Sequence, residues 1–200
     1  LAPDPSTTVV VNCAGRTRSI IGCQSLLNAG VPNPVMALKD GTMGWHLAGL
    51  ELERGKMRRA APPSTAGHYW ARNAAIRVAE CYHVKTVSRA QLKEWRAESD
   101  EHSLFVFDVR QPEEYESGHL PGARHAPGGQ LVQATDIFLA VRNARVVLVD
   151  DCGVRANVTA SWLNQMGMPQ VYVLEPGWKQ GEFETGAEPV MVLGEVPEID

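Results

Sequence analysis

The sequence predicts a parallel, doubly wound α/β sheet, and three observations carry that expectation. Apolar runs rich in β-branched and aromatic residues, Val9-Val10-Val11, Leu104-Phe105-Val106-Phe107 and Val146-Val147-Leu148-Val149, read as buried strands. Stretches of helical periodicity alternate with them, as parallel crossover connections require. One strand–loop–helix–strand unit also occurs twice, residues 9–30 matching residues 146–167 at a constant offset. Arg18 falls on Arg155, Leu26 on Leu163, Gly30 on Gly167 and Pro32 on Pro169.

In chain order, residues 9–12 form the first strand, which turns through small and cationic residues into an apolar-periodic helix over residues 20–29. Val35-Met36-Ala37-Leu38 is the next strand, followed by a glycine-rich turn, Asp40-Gly41-Thr42-Met43-Gly44-Trp45. Ala61-Pro62-Pro63-Ser64-Thr65 is a linker whose Ser64 or Thr65 caps a helix over residues 66–80, with Trp70, Ile76 and Val78 packing it between units. Residues 84–87 make a short strand, and Ser88 caps a helix through Leu92 and Trp95. Residues 104–110 are a strand ending in Asp-x-Arg, where Asp108 and Arg110 are expected to form a structural charge pair. His119 and His125 are expected to be turn and surface residues rather than acid–base groups. A helix over residues 130–140 leads into the strand at 146–149, and a helix through Leu163 leads to the strand Val171-Tyr172-Val173-Leu174. Gly177-Trp178 then mirrors Gly44-Trp45.

The first unit carries the chemistry. Cys13 stands where a strand ends and a helix begins, so backbone N–H groups and the positive end of the helix dipole face it. Arg16 and Arg18 follow within five positions. All three influences favour thiolate over thiol, and the same loop suits an anion. The amides of residues 14–19 are expected to point inward, so Ala14, Gly15, Arg16, Thr17 and Ser19 form a substrate cradle, with the hydroxyls of Thr17 and Ser19 as added donors. Cys23, further along the helix, reads as a packed thiol.

Cysteine, four residues, then arginine, within strand–loop–helix, resembles the active-site loop of the rhodanese sulfurtransferases. Asp40-Gly41-Thr42-Met43-Gly44-Trp45 is similar to that family's glycine-rich turn ending in tryptophan. Glu113-Glu114-Tyr115 and Gly118-His119-Leu120-Pro121-Gly122-Ala123 resemble another of its segments. The resemblance implies a rhodanese-like doubly wound sheet and a sulfurtransferase of the thiosulfate sulfurtransferase type. Cys13 would take a sulfane sulfur from thiosulfate or a similar donor, hold it as a persulfide, and pass it to cyanide or a thiol; Arg18 matches the family's loop arginine, which anchors the loop through carboxylates. Dual-specificity phosphatases of related architecture space cysteine and arginine by five residues, so phosphatase activity is disfavoured. The second loop puts Asp150 where Cys13 stands, with Arg155 as its arginine. A carboxylate carries no persulfide, and Cys152 lies too close to Arg155 for the same cradle. That loop is degenerate: Asp150 is either a built-in anion in a regulatory or docking module, or the relic of a decayed site. A non-catalytic rhodanese-homology scaffold is therefore the alternative function.

Tandem domains follow from the repeat. Residues 83–188 make one complete rhodanese-like domain without a nucleophile, residues 61–82 a linker with a helix, and residues 189–200 an acidic tail or linker. Only twelve residues precede Cys13, so residues 1–60 are expected to be the carboxyl-terminal half of another such domain. Its missing strands are expected to come from a separate amino-terminal half-domain or from a second copy of the chain.

Composition narrows the partners. A net charge of −4 and a sequence pI of about 5.9, with no basic stripe, argue against nucleic acid. Cysteines at 13, 23, 81 and 152 show neither a Cys-x-x-Cys pair nor metal-ligand spacing, and six scattered histidines form no ligand face. No metal and no cofactor are expected. The cysteine usage fits a reducing, cytoplasmic setting, which is the expectation where no signal peptide is visible and no apolar run approaches the length of a membrane span.

Overall fold

The computed structural model describes residues 4–15, 17–57, 60–98, 102–177 and 183–188. The elements run β1 (Val9–Val11), α1 (Thr17–Asn28), β2 (Val35–Ala37), α2 (Gly41–Leu47), α3 (Thr65–Cys81), β3 (Lys85–Val87), α4 (Arg89–Ala97), β4 (Leu104–Asp108), α5 (Pro112–Ser117), β5 (Arg124–His125), α6 (Gly128–Gln133), α7 (Thr135–Phe138), β6 (Arg145–Val149), α8 (Val154–Gln165) and β7 (Val171–Leu174). Strands β3 to β7 build a five-stranded sheet in the order β3-β7-β6-β4-β5, with every pair parallel. Strands β1 and β2 pair in parallel as a separate two-stranded sheet.

The larger sheet shows why β6 is an unbroken run of branched residues. Val146 and Leu148 point into one apolar cluster with Leu131 of α6 and Ala156, Ala160 and Leu163 of α8. Val147 and Val149 point into another, with Leu92 of α4 and Leu174 of β7. A strand covered on both faces has no solvent side on which polar residues could alternate. Ser88 caps α4 by accepting from the Gln91 amide, and Ser64 caps α3 by accepting from the Gly67 amide.

The repeat is three-dimensional: β1–α1–β2 has the order and parallel pairing of β6–α8–β7. Val9 pairs with Val35, and its counterpart Val146 with Val171. The offset therefore shortens by one after Pro32 and Pro169, where Asn33-Pro34 stands against the single Gln170. Asn33 is buried, and its side-chain amide donates to the carbonyls of Asp4 and Thr7, tying the preceding segment to the turn. Surroundings separate the copies. Val147 is 0% exposed within a cluster of Leu92 of α4 with Val106 and Leu174 of the flanking strands β4 and β7, whereas its counterpart Val10 is 55% exposed. Helix α1 packs on α6, and Trp162 Nε1 donates to Ser25 Oγ at 2.8 Å, joining positions that the repeat makes equivalent.

Several expectations need correction. The glycine-rich turn is a helix, α2, entered through Asp40 and Gly41, which both have positive φ. The helix expected over residues 130–140 breaks at Ala134 into α6 and α7, because the Thr135 hydroxyl donates to the carbonyls of Leu131 and Val132. Ile76 is exposed, while Val78 is buried in the α3 packing face. His119 is buried rather than superficial: its ring stacks on Tyr115 at 3.7 Å, and Nδ1 lies 2.9 Å from the Tyr115 carbonyl. His125 is a half-buried strand residue whose Nε2 is 3.1 Å from the Arg110 carbonyl. Trp178 and residues 189–200 lie outside the described residues.

Candidate functional site: two loops at strand ends

Each repeat places a loop between the carboxyl end of its first strand and the following helix, where a doubly wound sheet leaves helix N–H groups facing outward. In the first unit, Cys13 is half-buried at the mouth of α1. Its Sγ lies 3.5 Å from Ser19 Oγ, and Ser19 is 1% exposed. The Ser19 hydroxyl bond, opposed by desolvation, and then the Ser19 and Gly15 amides and the Arg18 charge hold the thiol below its ordinary value. Ala14 and Thr17 are exposed around the loop, and Gly15 is partly covered. Arg18 lines an apolar cavity of about 410 Å³ between α1, α3, α6 and α8. Arg16 lies outside the described residues.

The second loop is built alike but filled from within. Asp150 is 5% exposed, and its carboxylate accepts from the amides of Gly153 (2.6 Å), Arg155 (2.8 Å) and Ala156 (3.1 Å). Burial raises its pKa, opposed by those three amide bonds. The carboxylate thus sits where loop amides converge on an anion. Arg155 is anchored by carboxylates: its guanidinium donates twice to Glu114 of α5 and once to Asp151. The partner Glu114 was visible in the sequence only as part of a motif, because nothing in its spacing shows that α5 folds back onto α8. Asp150, Asp151 and Cys152 bring ligand-type atoms within 4.8 Å of one another. Three amides already occupy the Asp150 carboxylate, and burial with the two aspartates pushes the Cys152 thiol up to about 11, so the trio is poorly suited to a cation.

The Arg155 hydrogen bonds hold the Glu114 carboxyl below its ordinary value of 4.5. A depressed acid contributes stability that is complete above its unfolded value and is lost as pH falls through the folded one. The melting temperature of Glu114→Gln is therefore expected to lie below wild type near neutral pH, and the gap to close as pH drops below 4.5. The pair is about one-third exposed on each side, so the gap should be small.

Just past the end of β4, Arg110 is almost fully buried; its guanidinium grips Asp108 through Nε and Nη2 and donates to the Gly118 carbonyl at 2.6 Å. The expected charge pair therefore ties β4 to the turn after α5.

A doubly wound α/β sheet with an anion-cradling loop at a strand end defines the class of protein. The family model of the rhodanese-like domain matches residues 88–182, the stretch that holds the five-stranded sheet from α4 onward. A solved thiosulfate sulfurtransferase from Pseudomonas aeruginosa is 56% identical, with a TM-score of 0.87 over 94% of this chain and 35% of its own. Among curated proteins of Bacillus subtilis (strain 168), YrkF, named as a candidate sulfur carrier protein, is 31% identical over 90 residues, 47% of its length. YqhL, which carries no functional name, is 36% identical over 76 residues, 58% of its length. The matches thus span about half of each curated relative and about a third of the Pseudomonas protein. Among the described residues, no helix is long and apolar enough to cross a membrane.

Proposed function

We propose that this chain is a rhodanese-type sulfurtransferase that carries sulfane sulfur on Cys13. The observation that supports this best is the Cys13 thiol, set against Ser19 and the loop amides and held below its ordinary pKa. The 56% identical sulfurtransferase supports the same reading. In the proposed reaction the Cys13 thiolate attacks the outer sulfur of thiosulfate. The new S–S bond forms as the donor's S–S bond breaks, and sulfite leaves with the electron pair. The persulfide anion that results is stabilised by the Gly15 and Ser19 amides, the Ser19 hydroxyl and the charge of Arg18. Cyanide or a thiolate then attacks the terminal sulfur, and the Cys13 thiolate is released. Ala14, Arg16 and Thr17 complete the cradle in this reading, which needs no metal or cofactor. Four free cysteines suit a reducing, cytoplasmic compartment.

Two further parts belong to the proposal. The first unit is the carboxyl half of a rhodanese-like domain completed by an amino-terminal half or by a second copy of the chain. The exposed Val10 and Met36 support this, because their strands have the pairing of β6 and β7 without the flanking strands that cover those. The second unit is non-catalytic, since Asp150 offers loop amides an anion but no sulfur nucleophile. The reaction is tested by treating the chain, alone and with the amino-terminal half supplied, with thiosulfate and recording intact mass. Gain of one sulfur that cyanide removes is expected; no adduct in the completed protein would overturn the proposal in favour of a scaffold.

A further inference from the structure

The loop around Cys13 is gripped from behind by α2. The Cys13 carbonyl accepts from the Thr42 amide at 2.9 Å and the Thr42 hydroxyl at 3.3 Å, and the Ala14 carbonyl accepts from the Met43 amide at 2.9 Å. Asn12 Nδ2 in turn donates to Thr42 Oγ1 at 3.2 Å. In a trans peptide the carbonyl and the following N–H point in opposite directions. Holding those two carbonyls toward α2 therefore turns the amides of Ala14 and Gly15 away from it, toward the sulfur side of the loop. The lowered pKa of the Cys13 thiol agrees, since the Gly15 amide is one of its causes.

This grip needs close approach, and one residue permits it. Gly41 is buried with φ +60, and a Cβ there would lie 2.2 Å from the Gly15 carbonyl oxygen and 2.3 Å from that of Cys13. Both neighbours are backbone atoms, so no side-chain rotation relieves the clash; the loop or α2 must move. We infer that Gly41 is a positioning residue for sulfur transfer: by letting the first turn of α2 seat against the carbonyls of Cys13 and Ala14, it aims the loop amides at the sulfur. This rests on the reading of Cys13 as nucleophile, and the experiment separates the two.

The rate of Cys13 alkylation by iodoacetamide is followed against pH in the wild-type chain and in Gly41→Ala, with Cys23, Cys81 and Cys152 replaced by serine in both. Gly41→Ala is expected to raise the inflection by about one unit, roughly a tenfold loss of thiolate at fixed acidic pH. Gly49→Ala is the control, because Gly49 also has positive φ (+76) but nothing lies within 4 Å of its Cβ position. It shares the backbone strain without touching the loop and should leave the inflection in place. Thr42→Ala, which keeps the α2 amides but deletes the hydroxyl, is expected to shift it upward by less, and it provides the readout where Gly41→Ala fails to fold. An ordinary-thiol profile in the wild-type background would sink the nucleophile reading. A depressed wild-type inflection that neither Gly41→Ala nor Thr42→Ala moves, or that Gly49→Ala moves equally, would overturn the positioning role alone.

Discussion

Cys13→Ser is expected to abolish the thiosulfate-derived sulfur adduct completely, while Cys23→Ser, Cys81→Ser and Cys152→Ser leave it intact. The difference follows from surroundings rather than exposure. Cys81 is exposed, yet it sits at the carboxyl end of α3, where backbone carbonyls rather than N–H groups are left facing outward and no amide cradle can hold a transferred sulfur. Cys152 lies in a loop as Cys13 does, but burial, with Asp150 and Asp151 alongside, pushes its thiol up to about 11. Only Cys13 combines a helix amino end, a buried serine hydroxyl and loop amides. Serine is nearly isosteric but weakly nucleophilic, so the loss tests chemistry rather than packing. Persistence of the adduct in Cys13→Ser, measured by intact mass, would place the sulfur elsewhere.

Asp108→Ala is expected to destabilise the second unit by about 3–5 kcal/mol, a large share of the 5–15 kcal/mol that holds a typical domain. The substitution removes the carboxylate that grips the buried Arg110 guanidinium through Nε and Nη2, and the side chain is 2% exposed. The Gly118 carbonyl supplies a hydrogen bond but no charge. Replacing both partners by apolar residues, Asp108→Leu with Arg110→Met, should cost less than Asp108→Ala, because no buried charge remains. Urea unfolding followed by tryptophan fluorescence measures both. A loss below 1 kcal/mol for Asp108→Ala would mean that water or another group, rather than Asp108, carries the guanidinium.

Parts of this molecule were legible because burial writes itself into residue type. Strand β6 could be read as a buried run because apolar clusters on both faces force every position to be apolar. The caps at Ser64 and Ser88 were legible because an orphan helix amide calls for a side-chain oxygen at one defined place. Helix α2 was not, since Gly41, Thr42 and Gly44 are poor helix formers and the helix is held by long-range bonds to the Cys13 loop. The break at Ala134 was hidden for a similar reason: the Thr135 hydroxyl competes with the backbone. At the site, the spacing of Cys13 and Arg18 pointed to a cradle, and a hydroxyl at Ser19 was anticipated. The grip of α2 was not, because its contacts join residues about thirty positions apart and leave no periodic trace.

The central claim is that the Cys13 loop holds a sulfur anion. Its most direct measurement is the pH dependence of Cys13 alkylation in this chain. An inflection clearly below the free-cysteine value of about 8.5 is predicted, rising toward it in Ser19→Ala. An inflection at the free-cysteine value, unchanged by Ser19→Ala, would contradict the account.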